Sequence, residues 1–338
     1  MNKTKNTAIT ESQFFKTINK LFAKNETVLV LSIVALSILI GSINSAFFTV
    51  GTIYETLLAT VIWGIVGIGV SLVMINGGVD LSCMSIAMFS AYSATKLMLF
   101  INPDAPIIIL FLIAMVIGAG LGLVNALFIS IFKIPIFITT LATGVIYKAI
   151  MLEFIGNIYI TPAEMPQSAL DFSRTYVFGG LHISVLIMFA LLLVSFILMR
   201  YTIIGRGVYA LGGDPESAER IGYNLRRQKF ITYIYTGIMY AIGGVVYVSN
   251  SRLADPYDMI GTELTVIAAV VLGGVSLLGG KGSVWGVLLG ALLSVIIKNN
   301  LILIGITSDW SNFVFGLIFV LAVALQAFNS ARTKKQTA

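Results

Sequence analysis

Apolar runs of about twenty residues, each long enough to cross roughly 30 Å of hydrocarbon as a helix, alternate along this chain with short polar breaks. The pattern predicts helices over 28–49, 56–75, 81–101, a fourth ending near 132, 136–155 and, after a mixed loop over 156–176, a sixth from 177 to Arg200. After a long polar stretch it predicts four more, over 230–250, 264–278, a ninth ending near 304, and 312–328. Asn102-Pro103-Asp104-Ala105-Pro106, Lys133-Ile134-Pro135 and Gly279-Gly280-Lys281-Gly282 read as turns between them. The fold class is therefore all-α, a polytopic integral membrane protein of about ten transmembrane helices. Segments of about ten alternating residues, which a membrane β-barrel would need, do not occur.

Composition agrees. Of 338 residues, 58% are hydrophobic and 11% charged, which does not suit a soluble domain of this length. The charge excess of +6 is not a nucleic-acid signature, because the basic residues sit in a few loops and at the ends. With the N-terminus inside and ten crossings, all of the 21 Lys and Arg except Lys96, Lys148, Arg174, Arg252 and Lys298 fall on the cytoplasmic side. The positive-inside rule thus places both termini in the cytoplasm. Residues 1–27 read as a cytoplasmic tail, 28–328 as the membrane domain and 329–338 as a second tail. One Cys and one His leave nothing for a disulfide framework or a Cys/His metal site. No residue set calls for a cofactor.

The polar stretch 200–229 holds a helix start in Asp214-Pro215-Glu216: Asp as N-cap, Pro at the first helical position and Glu at the positive end of the dipole. Gly222 supplies a stop about two turns later. So short a helix is not stable alone in water and must pack on something, which predicts a docking element.

Three stretches carry a resemblance: Gly205-Arg206, Tyr209-Ala210, Gly212-Gly213, Glu216, Ala218 and Gly222; AAVVLGGVSLLGGKGSVWGVLLGALL at 268–293; and GGVDLS at 77–82. Together they resemble the membrane subunits of ribose-type ABC importers, over roughly 28–328. The resemblance implies an ABC importer permease fold built from inverted halves, a second permease copy or paralogue, a partner ATPase and an extracytoplasmic sugar-binding protein. It also implies transport of a small sugar by alternating access. On this reading Asp214, Pro215, Glu216, Ala218, Glu219, Arg220, Ile221 and Gly222 couple the chain to the ATPase, with Ala218 and Ile221 packing in its cleft. Where the family usually has Val-Gly this chain has Cys83-Met84, which puts any backbone kink there in doubt.

Asp80, next to the bilayer core, reads most simply as the N-cap of the following helix and otherwise as part of a gate. Asn125, Thr139, Thr143, Tyr147, Tyr240 and Asn299 are the pathway-lining candidates, since sugars favour aromatic faces with amide and hydroxyl partners. Glu164, Asp171, Asp255, Asp258 and Glu263, in the two acidic loops, are the candidates for meeting a basic surface on a binding protein. The glycine-rich run 273–283 is not a phosphate loop: Lys281 is followed by Gly, and Val275 stands where the first Gly would be. It reads instead as close helix packing through small residues. The alternative class is a self-sufficient secondary transporter, which needs paired intramembrane carboxylates. Glu55, Asp80 and Glu153 show no pairing by sequence.

Overall fold

The computed structural model describes residues 25–337, with side chains placed for 26–324. Among the described residues, eight helices are long and apolar enough to cross a membrane, and there are two shorter apolar helices. The expected tail of residues 1–27 lies almost wholly outside the described residues.

Helix α1 (Asn25–Ile43) stops short of its expected end. Asn44 accepts a bond from Ala46 N and opens a 3₁₀ turn, Ser45–Phe48. Thr49 then caps α2 (Val50–Ile75), which starts earlier than the sequence pattern predicts. The remaining early spans are α3 (Cys83–Ile101), α4 (Ile107–Ser130) and α5 (Ile136–Ile150), the last widening into a π turn, Met151–Ile155. A short helix α6 (Gln167–Phe172) follows. The next span was expected from 177, but Gly179 and Gly180 take positive φ and turn the chain into a two-residue hairpin, β1 (Tyr176–Val177) with β2 (Leu181–His182). Only then does α7 (Ile183–Tyr201) begin, capped by the buried His182.

The polar stretch folds as α8 (Ile203–Gly213) and α9 (Pro215–Arg220). Asn224 accepts a bond from Arg227 N and caps α10 (Leu225–Ser251), so 225–229 belong to a membrane helix rather than to the loop. Helix α11 (Glu263–Leu272) corrects another expectation: it ends at Leu272, not 278. At 1.5 Å per residue it is about 15 Å long, half a bilayer. The chain breaks at Gly273-Gly274, Gly274 with positive φ, and returns as α12 (Val284–Val295), a π turn Ile296–Asn300 and a 3₁₀ turn Leu301–Ile304. The last helix, α13 (Ser308–Thr337), is continuous through 329–337.

Packing follows residue size. Helices α4 and α10 meet most closely, where Gly118 and Gly122 lie against the Gly237 and Tyr233 carbonyls with no room for a Cβ. This small-xxx-small spacing lets two backbones touch where lipid supplies no hydrophobic drive. Likewise Gly273, Gly286 and Gly290 let α11 and α12 touch, as the small-residue reading of 273–283 expects. Helices α2 and α10 form the centre, α2 being buried from Thr60 to Ile75 except at half-buried Trp63.

Candidate functional site

One end of the bundle carries α8 and α9. Thr202 Oγ1 accepts from Gly205 N (3.1 Å) to start α8. Gly212 presses on the Ile75 carbonyl, leaving no space for a side chain, and Gly280 N donates to that same carbonyl (2.8 Å). Tyr209 Oη donates to the Gly282 carbonyl (2.9 Å), and the Gln228 side chain donates to the Ile204 carbonyl. So the loops after α2 and α11 and the start of α10 all hold α8 in place.

Asp214 caps α9 as its sequence predicts. Its Oδ1 accepts from Glu216 N (3.1 Å) and Ser217 N (3.3 Å), and Oδ2 accepts from Ser217 Oγ (2.5 Å). These bonds, the Ser217 hydroxyl's first, hold the Asp214 carboxyl below the usual carboxylate range. At the far end Gly222 N donates to Glu219 O and Tyr223 N to Ala218 O, with Gly222 at φ +97°. That is a complete Schellman ending. Glu216 and Arg220 form an exposed pair at 3.8 Å, worth little by itself. Ala218 and Ile221 were expected to act alike and do not. Ala218 is 2% exposed, seated inside this chain, whereas Ile221 is 73% exposed. Beneath α9, Glu219, Lys133, Arg226 and Lys229 rim a cavity of about 1140 Å³ floored by Gly77, Gly78 and Val79.

Just inside that floor lies a buried polar network. Asp80 does not cap α3, whose N-cap is Ser82. Its Oδ1 accepts instead from Ser82 N (2.8 Å) and Ser82 Oγ (2.6 Å), and its Oδ2 from Tyr240 Oη (3.0 Å). Asn125 Nδ2 donates to Ser82 Oγ (2.8 Å), and Tyr147 Oη lies within hydrogen-bond distance of Asn125 Oδ1 (3.0 Å) and the Leu121 carbonyl (2.9 Å). Four expected pathway residues, Asp80, Asn125, Tyr147 and Tyr240, are thus one chain of bonds tying α4, α5 and α10 to the turn before α3. All are buried, so none of them lines an open path in this conformation. Thr139 and Thr143 are buried nearby but return their hydroxyls to carbonyls of Pro135 and Thr140. Asn299 stands apart, exposed on the π turn of α12, while its neighbour Asn300 is buried and donates to Thr56. The sequence reading missed Ser82, the hub, and Thr140, which accepts from Leu81 N and donates to Val79 O (3.1 Å each).

At the opposite end, the two acidic loops form one cap. Ile160 N donates to Ala254 O and Ala254 N to Ile160 O, and Arg252 Nε donates to Ser173 Oγ (2.8 Å). Glu164 and Asp171 are exposed on it. The Thr161 amide and hydroxyl hold the Glu164 carboxyl below its usual range. Asp255 Oδ1 accepts from Tyr257 N (2.8 Å) and Glu263 Oε1 from Gly261 N (3.1 Å). Asp258 turns inward, accepting from Tyr247 Oη and Met259 N, and is the least free of the five.

A bundle of apolar spans with a capped helical element docked at one end defines a membrane transport subunit. Comparison with known proteins places it further: the chain belongs to the family described as branched-chain amino acid transport system / permease component, whose model matches residues 52–323. It is 30% identical over 307 residues to the ribose import permease protein RbsC of Haemophilus influenzae, covering 90% of this chain and 93% of that one. It is 32% identical over 287 residues to the galactose/methyl galactoside import permease protein MglC of Escherichia coli, covering 80% and 84%. To the autoinducer 2 import system permease protein LsrC of Yersinia enterocolitica it is 29% identical over 290 residues, covering 86% and 79%. No solved structure matches.

Proposed function

We propose that this chain is the membrane-spanning subunit of an ATP-driven importer that carries a monosaccharide into the cytoplasm by alternating access. The observation that carries the reading is α9, six residues too few to stand alone, capped at both ends and clamped to the bundle with Glu216, Glu219, Arg220 and Ile221 facing outward. Such an element transmits force from a partner that binds it; its own chain has no ATPase motif to supply that force. Sugar import permeases among the relatives support the substrate class.

In this scheme α8 and α9 lie in the cytoplasm with both termini, and 200–224 is the coupling segment for an ABC ATPase. A second permease copy or paralogue completes the path, and a sugar-binding protein docks on the cap formed by 156–176 and 251–263, meeting Glu164, Asp171 and Asp255. The chain sits in the cell membrane. ATP-driven closure of the ATPase would move α9, and through Gly212 and Gly280 the turn before Asp80. That turn holds the buried network, which makes the Asp80–Ser82–Asn125 junction the inner gate.

The test is energy coupling. Uptake of the sugar in cells should persist when a protonophore collapses the proton gradient while ATP is maintained, and an ATPase should co-purify in mild detergent. Uptake that follows the gradient, with no ATPase attached after gentle cross-linking, would return the chain to the secondary-transporter class.

A further inference from the structure

Between α2 and α10, at the end opposite α9, lies a cavity of about 430 Å³. That falls within the roughly 300–1,000 Å³ typical of small-molecule sites. From α2 it takes Glu55, Leu58, Ala59, Ile62 and Trp63, a stripe at the i, i+3, i+4, i+7, i+8 spacing of one helical face. From α10 it takes Tyr247, Asn250 and Ser251 one turn apart. Glu55 and Ser251 are exposed at its mouth, while Trp63, Tyr247 and Asn250 are half-buried deeper in.

We propose that this cavity is a monosaccharide site within the single permease chain, an outer stop on the transport path. Its chemistry is selective. A monosaccharide has hydroxyls around its rim and an apolar C–H face. Trp63 offers an aromatic ring of the kind such a face stacks on, and the ring is anchored by Lys298, whose Nζ stands 5.8 Å from its centroid. Asn250 Nδ2 donates to Ser184 Oγ (3.3 Å), but its Oδ1 is buried without a hydrogen-bond partner. An unmet acceptor costs free energy, and a rotation of this half-buried amide toward the cavity would let a sugar hydroxyl recover it. Glu55 supplies a second acceptor at the mouth. Tyr247 is fixed in place by its bond to Asp258 in the loop that caps the cavity, so docking on that loop would act directly on the site. The lining also disfavours an amino acid: its one charged residue is Glu55, and Lys298, held on the Trp63 ring, is not among the lining residues, so an α-carboxylate has no direct counter-charge there.

This inference rests on the sugar-importer reading but is tested separately from it. The full-length chain in lipid nanodiscs is probed by saturation-transfer NMR with D-ribose, D-galactose and L-leucine, with empty nanodiscs as blank. Transfer to at least one sugar and none to leucine is the expected result. Trp63→Leu should weaken the sugar's binding about tenfold, the scale of one lost aromatic contact. Asn250→Leu, which keeps volume and removes the acceptor, should weaken it similarly. Glu55→Gln, at the exposed mouth, serves should either half-buried variant fail to fold. Transfer to neither sugar, transfer to leucine instead, or sugar transfer unchanged in the variants would each overturn the site. If the sugar signal holds but no ATPase co-purifies, the site stands and the importer reading falls; the reverse result spares the importer and removes the site.

Discussion

Asp80 shows how much a single residue can organise in an apolar interior. It is 0% exposed, and both oxygens are met by donors within this chain. Tyr240→Phe removes one of those donors and leaves a buried acceptor unmet, which should cost about 1–3 kcal/mol. Thermal unfolding in detergent would read it as a lowered Tm; an unchanged Tm would mean that the Asp80–Tyr240 bond carries nothing. At this scale the sequence is half legible. Asp80, Asn125, Tyr147 and Tyr240 stand out as polar groups in apolar runs. That they meet does not, because Tyr240 lies 160 residues from Asp80. Ser82 is overlooked because the expected helix starts at 81 and encloses it; it stands instead just before the helix, makes no cap bond and joins Asp80 to Asn125. Asn299 and Asn300 are indistinguishable as letters, and only the widened π turn decides which one faces inward.

At the scale of elements, α9 separates two residues that a sequence treats alike. Ala218→Asp would bury an unpartnered carboxylate in α9's own seat, so lost uptake in that variant reports damage within this chain. Ile221→Asp leaves the seat alone. It should abolish ATP-driven uptake and release the ATPase on purification while the permease stays in the membrane at normal Tm; retained uptake would take Ile221 out of the interface. The cap of α9 adds a pH dependence whose sign is fixed. Because the folded Asp214 carboxyl lies below its ordinary 3.8, its stabilising effect is fully present above that value and disappears as pH falls through the folded pKa. A spin label at Glu219→Cys should therefore stay ordered at neutral pH and loosen only in acid below the usual carboxylate range, and Asp214→Asn should remove that dependence. Loosening near neutrality would assign the cap to another group. Helix existence was legible for the membrane spans because most of their apolar runs are about long enough to cross the bilayer, whereas α11 is only half that length. Helix ends were not: the stops at Ile43 and Leu272 and the hairpin before α7 come from Asn44, Gly273-Gly274 and Gly179-Gly180, short signals inside long apolar runs. The close contact of α4 with α10 had a sequence sign in Gly118-x-x-x-Gly122, which hydropathy alone passes over.

For the whole molecule, orientation decides what every surface can meet. Ten alternating crossings put 76–82, 131–135, 200–224 and 275–283 at one end, and 102–106, 156–182 and 252–262 at the other. The contacts among those segments agree, since Gly212 meets Ile75 and Gly280 while Ile160 meets Ala254. Basic residues concentrate at the first end and exposed carboxylates at the second, which predicts the first as cytoplasmic. The chain is well suited to a direct test, because its single cysteine, Cys83, is buried at 0% exposure and should not react with polar reagents. Glu219→Cys and Asp171→Cys then each carry one accessible thiol at opposite ends. In intact cells a membrane-impermeant maleimide should label Asp171→Cys and spare Glu219→Cys, and disrupting the membrane should expose the second. The opposite pattern would turn the bundle over, place α9 outside, and remove any route by which a cytoplasmic ATPase could drive it. Labelling of both in intact cells would remove α7 (Ile183–Tyr201), the one span between the two positions, as a crossing and so break the ten-crossing arrangement itself.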